Sequence, residues 1–114
     1  MTGVQTCALP IFKDCDLLIL EANHDPRMLI EGPYPWPLKQ RIKGRTGHLS
    51  NPESRDLIGE LMSDRLSQIV LAHLSETNNT PQKAVQAVRR VLAPAGIPFT
   101  VAEQHHPGPM ISTA

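Results

Sequence analysis

The run Ile69-Val70-Leu71-Ala72-His73-Leu74-Ser75, followed at once by Glu76-Thr77-Asn78-Asn79-Thr80-Pro81, constrains this chain more than any other feature. A short apolar run with β-branched residues reads as a buried strand, and Thr80-Pro81 opens a helix. His73 therefore falls where a strand gives way to a loop, on the carboxyl edge of a parallel sheet. Open α/β folds keep their ligands and chemistry at that edge. Glu21, ending Asp16-Leu17-Leu18-Ile19-Leu20-Glu21, and His48, just before another helix start, hold similar places. Titratable groups at several element ends point to a site, most of which is expected to lie outside this sequence.

The predicted order is strand, long loop, helix, strand, helix, strand. Residues 16–21 are apolar on both faces, so this strand is expected to be covered on both sides. Residues 22–47 carry Pro26, Gly32, Pro33, Pro35, Pro37, Gly44 and Gly47, too many breakers for one continuous element. A short helix over 36–43 fits inside that loop. Asn51-Pro52-Glu53 supplies an N-cap, a proline at the first helical position and an acidic first turn. Leu57, Ile58, Leu61 and Met62 share one face, so residues 52–62 are predicted to be a helix packed on the sheet. After a strand at 68–73, Thr80 caps a helix with Ala84, Val85, Val88, Val91 and Leu92 on one stripe, stopped by Pro94 and Gly96. Residues 98–102 read as a last short strand.

Strands joined by crossover helices run parallel with one connection sense. Glu21 and His73 are then expected to face the same crevice. His48 joins them only if the long loop carries it back from the opposite edge, which its length permits.

Composition bounds the class. The 114 residues make about one small domain, and 40% hydrophobic content with only 4% aromatic predicts an aliphatic core. Eleven basic residues balance eleven acidic ones, so net charge does not argue for nucleic acid or a membrane. No apolar run approaches the ~18 residues of a membrane span. Residues 1–12 are expected to hold no native structure: Met1-Thr2-Gly3-Val4-Gln5-Thr6-Cys7-Ala8-Leu9-Pro10-Ile11 is similar to a translated sequencing-library adapter. It lacks charge, a clear period and the basic start of a secretory signal. Setting Cys7 aside leaves Cys15 alone, a small hydrophobe at a strand's beginning, so a disulfide framework is not expected and a reducing cytoplasm is. Residues 13–104 are the expected folded unit and 105–114 a flexible tail in which His105 and His106 are exposed.

Three motifs carry a family resemblance. Leu20-Glu21-Ala22-Asn23-His24-Asp25, Gly47-His48-Leu49-Ser50-Asn51 and Ala72-His73-Leu74-Ser75-Glu76 with Asn78-Asn79-Thr80-Pro81 resemble the carboxyl-terminal half of a metallo-β-lactamase-fold hydrolase. The nearest branch is the bacterial one linked to cell-wall two-component operons and described as a metal-dependent hydrolase or exonuclease; ribonuclease Z is more distant. The resemblance covers residues 13–104, and the order and spacing of the motifs are more specific than any one of them. It implies an α/β fold, half of an αββα sandwich, incomplete as given. It also implies that His73 is a metal ligand and that Glu21 and His48 form a catalytic or phosphate-contacting pair. The fold's His-x-His-x-Asp-His cluster and its bridging aspartate do not occur here, so the resemblance implies an inactive piece of a two-metal phosphodiesterase. Its ions would be zinc first, manganese second, with at most one held weakly by this piece, and its substrate a nucleic acid.

Elementary chemistry is compatible with those roles. Zinc takes neutral imidazole, and catalytic zinc sites use about three protein ligands with a position left for water. A carboxylate at Glu21 would hold an imidazole at His48 protonated, ready to donate to a phosphate or leaving oxygen. Glu21 as a plain loop carboxylate and His48 as a capping-turn residue are the bland alternatives. His24 and Asp25 could orient the pair or shape an Asx turn before Pro26. Lys39, Arg41, Lys43 and Arg45, after Tyr34 and Trp36, could contact a nucleic-acid backbone with Trp36 as a stacking surface, or form a solvated helix face over a packed Trp36. Asn78 and Asn79 read as turn formers. A lactonase- or thioesterase-like member of the fold and a non-catalytic α/β module are the other functional readings. Exposed sheet surface and strand edges predict self-association.

Overall fold

The computed structural model describes residues 16–44, 47–62 and 65–103. The expectations for residues 1–12 and 105–114, and for Cys15, Arg45, His105 and His106, lie outside the described residues.

The elements are β1 (Leu17–Glu21), α1 (Pro26–Glu31), α2 (Trp36–Lys43), α3 (Asn51–Leu61), β2 (Gln68–Ala72), α4 (Pro81–Ala95) and β3 (Phe99–Val101). The strands form one parallel sheet in the order β1-β2-β3, with Leu18 beside Ile69, Ile19 beside Val70 and Leu71 beside Val101. Alternation sends Leu18, Ile69 and Leu71 to one face, where they meet Leu57, Ile58 and Leu61 of α3 and Ala84, Val88 and Leu92 of α4. That aliphatic cluster is the core. Both crossover helices lie on this face, as a parallel sheet of consecutive strands with a single connection sense requires. The fold class is α/β, as expected from the motifs.

The other face departs from expectation. Residues 16–21 were predicted to be covered on both sides, yet Ile19 is 64% exposed. Ile19, Val70 and Thr100 form a row across this face, and none of them enters the core cluster. An all-apolar strand reports that both of its faces avoid water, not what covers each one.

Three local readings also change. Residues 22–47 contain a helix that the breakers concealed. Asp25 is the N-cap of α1, its carboxylate accepting from Met28 N at 3.0 Å, and Pro26 fits the first helical position, where an N–H would have no intrahelical partner. Pro26 begins an element where it was read as a breaker. The N-cap of α3 is Ser50, one residue before Asn51. Ser50 Oγ accepts from Glu53 N at 3.2 Å while Glu53 Oε1 accepts from Ser50 N at 2.9 Å, a reciprocal capping box. Pro94 does not stop α4. It sits in the last turn, and termination falls to Gly96 in the left-handed conformation, φ 68°. Among the described residues no helix is long and apolar enough to cross a membrane.

Candidate active site at the carboxyl edge of the sheet

Glu21 closes β1 beside Ala72 of β2, and the ladder continues one step further through Ala22 N donating to Ala72 O at 3.0 Å. On the other side of the β1 extension lies the segment bearing His48. Asn23 N donates to Leu49 O at 2.9 Å and Asn51 N to His24 O at 2.8 Å, so residues 48–51 run parallel to residues 22–24. The long loop does bring His48 back to the edge where β1 ends. Gly47 makes the approach possible: a Cβ there would collide with the carbonyls of Arg41 and Ile42 at the end of α2. His48 N then donates to Ile42 O at 2.9 Å.

The chain path sets the side-chain geometry. Glu21 Oε2 accepts from His48 Nδ1 at 2.8 Å, and Glu21 Oε1 accepts from Leu49 N at 2.7 Å. His73 Nδ1 lies 3.6 Å from the same Oε2, an ion-pair distance beyond hydrogen-bond range. His73 follows β2 directly with φ 57°, the one non-glycine residue with positive φ among the described residues. Asn23, His48, His73 and Ser75 line an open cleft of about 740 Å³, to which Tyr34 and Ile42 of the long loop add an apolar wall.

Other sequence candidates fall in different places. His24 is buried and its Nδ1 meets Asn23 Oδ1 at 3.2 Å. Burial pushes its proton affinity below the usual imidazole range and His48 lowers it further, against the opposing pull of Glu53, Glu21 and Asp25. Asp25 is committed to capping α1. In the basic run, Lys39 Nζ donates to Ile30 O at 2.6 Å and so closes the carboxyl end of α1. Lys43 Nζ stands 5.7 Å above the half-exposed Trp36 ring, a cation–π arrangement, and Arg41 is exposed.

The sequence reading missed the amides. Asn51 and Asn79, both buried, exchange reciprocal hydrogen bonds at 2.8 and 2.9 Å. Asn79 also donates to Ala22 O and accepts from Thr80 N, each at 2.9 Å. The pair clamps the first turns of α3 and α4 to the end of β1. Asn79 was read as a turn former because the sequence around it shows only a loop ahead of a cap. Its partner 28 positions away is set by topology.

Among the described residues no three of His, Cys, Asp or Glu are grouped to hold a metal ion. Both Glu21 oxygens and His48 Nδ1 are already hydrogen-bonded, leaving His73, with its side chain 78% exposed, as the freest donor. These residues fit one donor of an ion site and do not fit a whole one.

The carboxylate–imidazole pair thus sits at the carboxyl edge of a parallel α/β unit, and the proteins this chain is similar to are nucleases. The chain is similar to the exodeoxyribonuclease YycJ of Bacillus anthracis, with 36% identity over 86 residues, 75% of this chain and 33% of that protein. It is likewise similar to the exodeoxyribonuclease WalJ of Streptococcus pneumoniae, with 38% identity over 95 residues, 80% of this chain and 35% of the relative. No family model matches. The resemblance to a bacterial exonuclease branch is borne out by these relatives, and the chain spans about a third of their length.

Proposed function

We propose that this chain supplies the substrate-facing half of a metal-dependent phosphodiester hydrolase acting on DNA, a carboxyl-terminal half of a metallo-β-lactamase-type sandwich. The observation that carries the reading is the Glu21–His48 pair at 2.8 Å, of which His48 lines the cleft. With Nδ1 donating to Glu21, His48 keeps Nε2 for the substrate. A proton there can go to a phosphate oxygen or to the departing 3′- or 5′-oxygen, and the carboxylate stabilises the imidazolium that precedes the transfer. Glu21 needs no movement for this, because Leu49 N holds its second oxygen.

When bound, a divalent ion would polarise the phosphoryl group and activate water. His73 would give it one donor and further donors would come from outside the described residues; zinc and manganese both accept imidazole. Trp36, Arg41 and Lys43 form the exposed part of the basic run, to which Arg45 is adjacent in sequence, and they would meet the nucleic-acid backbone. Lys39 would act through the placement of α1 and α2. His24 and Asp25 would act as supports of the strand end, away from the substrate. The compartment that suits such a protein is the cytoplasm.

The test is a chimaera in which residues 16–103 replace the aligned third of the Streptococcus pneumoniae relative. Glu21→Gln and His48→Ala should lower DNA cleavage roughly 10²–10⁴-fold with metal content unchanged. His73→Ala should lower bound metal and cleavage together. Full metal and full activity in the His73 variant would remove it from the ion site, and metal loss in the other two would reverse the assigned roles.

A further inference from the structure

Asn23 stands between the two loops that carry the site histidines. Its backbone N–H donates to Leu49 O at 2.9 Å, next to His48, and its backbone carbonyl accepts from Ser75 N at 2.7 Å, two residues past His73. Its side chain is engaged at both ends. Asn23 Nδ2 donates to His73 O at 2.9 Å, and Asn23 Oδ1 faces His24 Nδ1 at 3.2 Å.

The amide's orientation follows from its partners. A backbone carbonyl only accepts, so the nitrogen must face His73 O, and the oxygen is left to accept from His24. His24 Nδ1 therefore carries a proton. His24 is buried, and burial favours its neutral form with a single N–H, which the amide oxygen fixes on Nδ1. The direction of the relay is thus His24 Nδ1–H to Asn23 Oδ1, then Asn23 Nδ2–H to His73 O.

What the relay ends on is unusual. His73 is the residue with φ 57°, a conformation that side-chain-bearing residues adopt rarely, with Asn, Asp and His the more tolerant. Such conformations persist where the surroundings over-determine them. The backbone turn at His73 directs its imidazole toward Glu21 Oε2, the oxygen that also holds His48. Although Asn23 lines the cleft, its amide has an acceptor and a donor already in use, which suits a frame and not a substrate contact.

We infer that Asn23 is a positioning residue: its side-chain amide holds His73 in the left-handed conformation that turns the imidazole toward Glu21, while its backbone ties the His48 loop to the same strand end. The catalytic consequence rests on the proposed nuclease reading; the conformational consequence does not.

Asn23→Asp separates the two. It preserves size and an acceptor toward His24, and it replaces the donor to His73 O with a charged oxygen, placing an oxygen against an oxygen; Asn23→Ala removes the same donor without adding the charge. In the chimaera, with histidine labelled with ¹³C, the His73 backbone shifts should leave the left-handed range in Asn23→Asp and in Asn23→Ala. Cleavage should show kcat reduced by about 10²-fold, the scale of a misplacement of ~1 Å, with KM little changed. Both variants should still melt in a single cooperative transition. His73 shifts unmoved in Asn23→Asp would overturn the inference whatever the activity, as would a loss of kcat that follows only the folded fraction. A wild-type chimaera without cleavage would refute the nuclease reading while the His73 shifts still decide the role of Asn23.

Discussion

Glu21, His48 and His73 were legible one residue at a time because each ends or precedes an element, and the fold gathers them around one carboxylate oxygen. Asn23 was not, since its role lies in partners 26 and 50 positions away and not in its neighbours. His24 yields a pH prediction. Its folded-state proton affinity is lowered by burial, so between its folded and unfolded values the unfolded chain binds more protons. Stability is therefore complete above about pH 6.5, the ordinary imidazole value, and declines as pH falls through and below it, levelling off once pH is beneath the folded value. Thermal melts between about pH 7.5 and about pH 5 should show that decline, and His24→Gln should flatten it. A slope unchanged in the variant would assign the effect to other groups. Gly32 gives a second test. A Cβ there would lie 2.6 Å from the backbone oxygen of Met28, which cannot swing aside as a side chain can, and 2.8 Å from Oδ1 of the buried Asn78. Gly32→Ala should cost about 1–3 kcal/mol in a denaturant titration, the range of overpacking in a closed site.

Elements were readable where periodicity and capping agree. The stripe Ala84, Val88 and Leu92 and the face Leu57, Ile58 and Leu61 predicted α4 and α3, and both stripes are in the core. Helix α1 escaped because six residues carry too little periodicity, and Asp25-Pro26 reads equally as a turn or as a cap with its first helical proline. What the pattern could not show is how the elements are locked at the site. The Asn51–Asn79 pair joins the starts of α3 and α4, and through Ala22 O it also fixes the end of β1. Removing either amide leaves the other buried with unmet hydrogen-bonding groups, a cost of about 1–3 kcal/mol. Asn51→Ala and Asn79→Ala should each lose that much by equilibrium unfolding, and the double variant less than their sum. Additive losses would mean that the two amides act independently.

At the scale of the whole molecule, the main core cluster among the described residues gathers on one side of a three-stranded sheet, under α3 and α4, with Leu29 of α1 buried apart from it. The sequence predicted that β1 avoids water on both faces; among the described residues the core cluster covers the Leu18 face, and Ile19 on the other is exposed. Ile19, Val70 and Thr100 are left as a row on the other, and residues 17–20 of β1 have no neighbouring strand on their outer edge among the described residues. An exposed isoleucine on a sheet face beside an unpaired edge is the arrangement that natural folds protect with charge or cover. The isolated 114-residue chain should therefore associate in a concentration-dependent way by light scattering. Ile19 is the best place to intervene, because at 64% exposure its side chain contributes little to the core. Ile19→Lys places a solvated charge at the middle of the row and should shift the chain toward monomer, with a melting temperature near that of the parent. If the variant associates as strongly as the parent, the contact lies elsewhere. If it becomes monomeric only by unfolding, Ile19 is part of the stabilising structure after all, and the Leu18 face alone does not hold the sheet together.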